Sequence, residues 1–99
     1  MNPKRIVAIC KALGDAHRLK IVQTLCEGEQ CGYQLLQQFN FTQPTLSHHM
    51  RILCMCELVD SRKDGRWHYY SLNQDTLNEF NEFSSALAKL ECKVENNTK

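Results

Sequence analysis

The sequence predicts one mostly α-helical domain with a small β-hairpin, in the order ααααββα. Three observations lead there. Apolar residues recur at helical spacing through the first half of the chain and again in its last quarter. Two strand-like runs between them are joined by Asp64-Gly65, a dipeptide suited to a two-residue hairpin turn. A chain of 99 residues suffices for a single domain, 1–99, with a modest core.

Each element follows from local chemistry. Pro3 opens a first helix, about 3–13, with Ile6, Val7, Cys10 and Leu13 at helical spacing. Gly14 breaks it. Asp15 caps a second helix whose inner side is expected to be Leu19, Val22, Leu25 and Cys26, and Gly28 stops it. A third, short helix covers Gly32–Phe39, with Leu35, Leu36 and Phe39 inward, and Asn40-Phe41 make a tight turn. Thr42 then caps a fourth helix that tolerates Pro44 in its first turn. Two short helices joined so briefly, about 32–54, make a helix-turn-helix. Leu58–Lys63 and Arg66–Leu72 are the two strands of a wing, about 58–72. The last helix, about 74–93, carries a single-sided stripe of Leu77, Phe80, Phe83, Leu87 and Leu90. So small a domain leaves that stripe little to cover internally, so the last helix is expected to pack on a partner subunit. The final VENNTK is expected to fray.

Charge and composition narrow the function. The net charge is +1, too small for a protein that coats nucleic acid, but Arg51, Arg62, Lys63 and Arg66 are concentrated within one stretch. No apolar run is long enough to span a membrane, and the start lacks a secretory leader, so the cytosol is expected and no membrane partner. No glycine-rich phosphate loop and no nucleophile–histidine arrangement is present, which argues against an enzyme.

The stretch TQPTLSHHMRIL followed by LVDSRKDGRWHYYSL points to double-stranded DNA. At about 100° per residue, Leu46, Met50 and Leu53 share the face that buries. Thr45, Ser47, His48 and Arg51 then point outward, Gln43 stands at the edge of the first turn, and His49 leans toward the core. Those outward side chains suit base edges and phosphates in a major groove. Arg62, Lys63 and Arg66 cluster near the hairpin tip, within reach of a phosphate.

Six cysteines in a chain without a leader are expected to be thiols: Cys10, Cys26, Cys31, Cys54, Cys56 and Cys92. No C-x-x-C occurs, which argues against a zinc ribbon. Cys10 and Cys26 lie on apolar stripes and are read as packing residues. Cys31 sits at a helix start, where the helix dipole favours thiolate, the form that binds soft ions. Cys54 and Cys56 lie two apart, about 160° around a regular helix, and converge only if the helix ends nearby. Cys31, Cys54 and Cys56 are the candidate ligands of a thiophilic ion, trivalent arsenic first, with Cys92 as an additional one. No resident cofactor is expected.

KALGDAHRLKIVQTL, TQPTLSHHMRIL and LVDSRKDGRWHYYSL together resemble the ArsR/SmtB family of metal-responsive repressors over roughly residues 8–90. The resemblance implies a winged-helix homodimer, paired through its first and last helices (about 3–13 and 74–93), that represses a resistance or efflux operon until an inducer binds. It implies a recognition helix from Gln43, a wing over Asp60–Tyr70, and an operator that is an inverted repeat. The arsenic-sensing branch is the most similar, through EQCGYQLL, although Tyr33 stands where that branch has a second cysteine. Residues 74–93 hold no histidine, unlike the zinc, nickel and cobalt sensors. Cys56 and Cys92 resemble part of a lead and cadmium site, with Ile52 in place of its upstream cysteine, and Cys26 and Cys92 resemble a persulfide-sensing pair. Thiol oxidation is therefore the alternative trigger, and a winged helix that only contacts proteins is the alternative from another class.

Overall fold

A computed structural model describes the backbone of residues 1–98 and the side chains of residues 1–89. The order is α1 (Pro3–Leu13), α2 (Ala16–Leu25), β1 (Gln30–Cys31), α3 (Gly32–Gln38), α4 (Gln43–Met55), β2 (Val59–Asp64), β3 (Trp67–Leu72) and α5 (Gln74–Thr98). The winged helix-turn-helix is therefore present, with one strand added. Two residues are too few to leave a period in the sequence, so β1 shows only through its pairing. The sheet order is β1-β3-β2, with Gln30 opposite Tyr70 and Cys31 opposite Tyr69. Cys92 and Leu90 lie outside the described side chains. The backbone of α5 continues to Thr98, past the Lys93 end and through the tail expected to fray.

The caps behave as their chemistry dictates. Asp15 Oδ1 accepts from the amides of His17 and Arg18 at 2.8 and 3.1 Å. Thr42 Oγ1 accepts from the Thr45 amide at 3.3 Å. Asn73 caps α5, with Oδ1 accepting from the Thr76 amide at 2.9 Å, and its Nδ2 donates to Asp60 at 3.2 Å. One residue thus ties the base of the hairpin to the start of α5.

The core gathers Ile9, Ile21, Leu35, Leu46, Leu53 and Leu58, all fully or almost fully buried. Two stripes are rotated relative to expectation. On α1 the buried residues are Ile9 and Ala12, whereas Val7 and Cys10 face solvent. On α2, Ile21 is buried beside Val22 and Leu25, whereas Leu19 and Cys26 are exposed. Helical spacing identifies the candidate faces, but which face turns inward depends on where α4 docks. Cys10 and Cys26 are consequently surface thiols rather than packing residues.

Helix α4 docks as expected, with Leu46, His49, Met50 and Leu53 buried. Arg18 holds His49 in place. Its Nη1 donates to His49 Nδ1 at 3.2 Å and its Nε donates to the Ala12 carbonyl at 2.7 Å. Burial, chiefly, pushes the His49 imidazole below its ordinary 6.5, with the Arg18 charge acting in the same direction and Asp15 opposing it.

The helix ends at Met55, and Glu57 then adopts φ 66°, the left-handed region that glycine occupies without strain. This kink lets Leu58 and Val59 enter the core while the hairpin projects outward. The hairpin turn sits one residue later than predicted. Asp64 pairs with Trp67, so the two loop residues are Gly65 and Arg66, not Asp64 and Gly65. Gly65 has φ 63° and Arg66 has no positive φ, the requirement of a turn with glycine in its first central position.

Two stability measurements follow. Replacing Glu57 by glycine removes a left-handed non-glycine residue and is expected to raise stability by about 1 kcal/mol in urea unfolding, net of the added freedom of the unfolded chain. A loss of stability would show that the Glu57 side chain matters more than its backbone. The His49 pKa is depressed in the fold, chiefly by burial, so its contribution is complete above the unfolded value of 6.5 and is lost as pH falls below it toward the depressed value. Unfolding midpoints measured between pH 7.5 and 5 should fall, and His49→Gln should flatten that decline.

Candidate nucleic-acid interface

The buried side of α4 dictates what its other side presents. Gln43, Thr45, Ser47, His48 and Arg51 are all exposed. The Thr45 hydroxyl is partly committed, since it lies 2.9 Å from the Thr42 hydroxyl that donates to it. The wing stands beside this face. Gln43 and Ser47 of α4 and Arg66, Trp67 and His68 of the hairpin line one open cleft of about 400 Å³, which Tyr33 of α3 also borders. A hydrogen-bonding helix face and a cationic hairpin thus front the same space, as a major groove and its flanking phosphates require.

The three wing cations are not equivalent. Arg62 is held by Glu29, with Nη2 and Nε donating to the two carboxylate oxygens at 2.8 and 3.0 Å. Its guanidinium also lies 4.4 Å over the Tyr69 ring and 4.0 Å from Asp64. The Arg62 guanidinium holds the Glu29 carboxyl below its usual range. Lys63 and Arg66 are exposed and form no ion pair among the described residues, and the same is true of Arg51. Of the four cations on α4 and the hairpin, Arg51, Lys63 and Arg66 are therefore the ones left free among the described residues. Glu29 sits 33 positions from Arg62, and nothing in the local sequence signals the pair. Trp67 and His68 were legible only as strand residues.

The thiols are placed at joints of the molecule. Cys31 is buried at the β1–α3 junction, and its amide donates to Gln34 Oε1 at 2.8 Å. Cys54 is half-buried on the last turn of α4. Cys56 caps that helix and is buried, its thiol 3.4 Å from the Leu53 carbonyl that accepts from it. Burial, as the largest influence, pushes both thiols above their usual value, with a bond to Ser61 opposing this at Cys54 and backbone bonds opposing it at Cys56. The helix does end near Cys54, but Cys31, Cys54 and Cys56 do not form a three-ligand group in this conformation. Among the described residues, only Asp15, His17 and His49 bring three such ligand atoms within 4.8 Å of one another. There the Arg18 guanidinium already supplies the positive charge, bonded to His49 Nδ1 and to backbone carbonyls.

Residues 15–61, from the cap of α2 into β2, match the family described as bacterial regulatory protein, arsR family. The chain is 48% identical over 79 residues to an arsenical resistance operon repressor of Staphylococcus aureus, covering 80% of this chain and 76% of that one. It is similar to a crystal structure of a possible transcriptional regulator for arsenical resistance, with a TM-score of 0.72, 30% identity, and coverage of 87% and 92% of the two chains. It also shares its fold with the solution structure of a homodimeric winged helix-turn-helix DNA-binding domain from Mycobacterium bovis, with a TM-score of 0.71, 23% identity, and coverage of 87% and 81%. With the helix-turn-helix, the wing and the matched sequence in agreement, the chain belongs to the ArsR family of bacterial regulatory proteins.

Proposed function

We propose that this protein is a homodimeric repressor of a metalloid-resistance operon, which leaves its DNA operator when arsenite binds cysteine thiols. The observation that carries the reading is the cleft that Gln43 and Ser47 of α4 share with Arg66 of the hairpin, with Thr45, His48 and Arg51 exposed on α4 and Lys63 exposed and unpaired on β2. The arsenical resistance repressor at 48% identity supports the inducer. Val7 at 52% and Leu87 at 47% exposure leave apolar side chains uncovered on α1 and α5, which supports these two helices as the dimer contact. A two-fold dimer reads an inverted repeat. Among the described residues no helix is long and apolar enough to cross a membrane, and the cytoplasm, where DNA resides, is the proposed location.

Cys31, Cys54 and Cys56 are the proposed inducer ligands, with Cys92 as an additional donor. Their soft sulfurs suit trivalent arsenic. Arsenous acid exchanges three hydroxyls for three cysteine sulfurs, and each departing hydroxide leaves as water with the proton of a thiol. Thiols pushed upward by burial therefore favour this neutral inducer over a bare divalent ion, which has to expel those protons. Cys31, Cys54 and Cys56 do not form one three-ligand group in the conformation that presents the DNA-facing front. An ion that gathers them selects a different conformation, and by linkage DNA weakens its binding by the same factor.

The test uses double-stranded DNA enriched from a random pool by the protein itself. Lys63→Ala with Arg66→Ala should weaken binding at least about tenfold and reduce the salt slope by about two, whereas Arg62→Ala, already paired, should cost less. An unchanged slope after the double substitution rules the tip out as a phosphate contact. Sodium arsenite under reducing conditions should release the DNA, and Cys31→Ser, Cys54→Ser and Cys56→Ser should each raise the arsenite required. Release by a mild oxidant but not by arsenite would identify thiol oxidation as the trigger. Cadmium affinity should rise by about tenfold per pH unit for each proton displaced, while arsenite affinity stays nearly level around neutrality.

A further inference from the structure

Besides its buried base, the wing meets the helical body on its flank along one short stretch, residues 29–33. Glu29 holds Arg62 of β2 through two hydrogen bonds of 2.8 and 3.0 Å. Gln30 and Cys31 pair with Tyr70 and Tyr69 of β3. The Tyr33 ring meets Trp67 edge to face, with centroids 6.4 Å apart. Two side-chain contacts thus flank β1, one to each strand of the hairpin. Tyr33 and Trp67 are 55% and 46% exposed, so core burial does not account for their meeting. Both rings line the cleft that Ser47 and Arg66 also line.

We propose that Tyr33 and Glu29 are positioning residues that clasp the wing, and that β1 between them makes Cys31 and the wing one mechanical unit. The proposal rests on the reading of the protein as an arsenite-released DNA-binding repressor, and extends it to the route by which a thiol reaches the phosphate contacts. Cys31 is buried with its backbone in the ladder and both clasps within two residues of it. Drawing its sulfur toward another ligand displaces β1, and the displacement reaches β3 directly through the Cys31–Tyr69 pair, without passing through α4. Each clasp alone is a modest surface contact. Acting in parallel with the ladder, they restrict the hairpin to one orientation and so lower the ordering cost of binding DNA.

Trp67 is the single tryptophan of the chain, so its emission reads the clasp directly. Tyr33→Ala should red-shift that emission, increase its quenching by iodide, weaken binding to the enriched duplex about fivefold and lower the salt slope by about one. Tyr33→Phe keeps the ring, loses only the bond from Gln37 to the hydroxyl, and should restore all four readouts. Glu29→Gln should weaken DNA binding although it removes a negative charge. Tighter binding instead would mean that Glu29 merely masks Arg62, and would overturn its positioning role. Arsenite added to the DNA-free protein should change Trp67 emission in the native chain and not in Cys31→Ser. Native affinity and slope in Tyr33→Ala overturn the clasp, and arsenite release of DNA with unchanged Trp67 emission overturns the coupling. A native protein that enriches no duplex defeats the repressor reading instead, and the emission of Tyr33→Ala still decides whether the aromatic contact exists.

Discussion

Burial of one face of α4 is the constraint on which the rest of the molecule depends. Leu46, Met50 and Leu53 are spaced to lie on one side of a helix, and each contributes roughly 1.5–3 kcal/mol when removed from water. With 3.6 residues per turn, burying these three leaves Gln43, Ser47, His48 and Arg51 facing solvent. The core side and the proposed DNA-facing side are thereby opposite faces of one helix. His49 completes the buried side, and its bond from Arg18 links α4 to the start of α2. The polar face is thus free to follow the chemistry of a DNA groove with little cost to the core.

The hairpin obeys a different logic. Two short strands are not stable alone in water; β2 is exposed beyond Val59, and β3 is exposed or half-buried throughout. The hairpin borrows its order from its base, where Leu58 and Val59 are buried and Asn73 bridges to α5, and from the flank, where β1 and Glu29 meet it. Helix α4 is therefore held by the core, and the hairpin beyond its buried base by polar and aromatic surface contacts. Surface contacts are the weaker kind, so the wing is the part of the proposed interface most readily displaced. The thiols stand at its hinges, with Cys31 where β1 joins α3 and Cys54 and Cys56 where α4 turns toward β2.

Much of this was legible locally. The Asp15 and Thr42 caps, the outward set on α4 and the hairpin between two strand-like runs follow from the chemistry of a few neighbouring residues. The misreadings share a cause. The stripes of α1 and α2 were placed a step around the helix, because Val7 and Ile9 are equally apolar and only docking distinguishes them. The turn was placed at Asp64-Gly65, a favourable dipeptide, but the register that buries Val59 opposite Leu72 carries the loop to Gly65 and Arg66. Arg62 was counted with the free cations, and its partner lies in another element.

By itself, then, the sequence determined the helices, their caps, the existence of the wing and the polar face of α4, since spacing over one or two turns decides these. Only the tertiary structure decided which cations remain free, which thiols are buried, that a two-residue strand joins the sheet, and that Glu29 and Tyr33 reach the wing. These depend on groups about thirty positions apart, such as Glu29 with Arg62 and Tyr33 with Trp67. No local pattern records such a meeting, because it exists only once the core has brought α3 and the hairpin together.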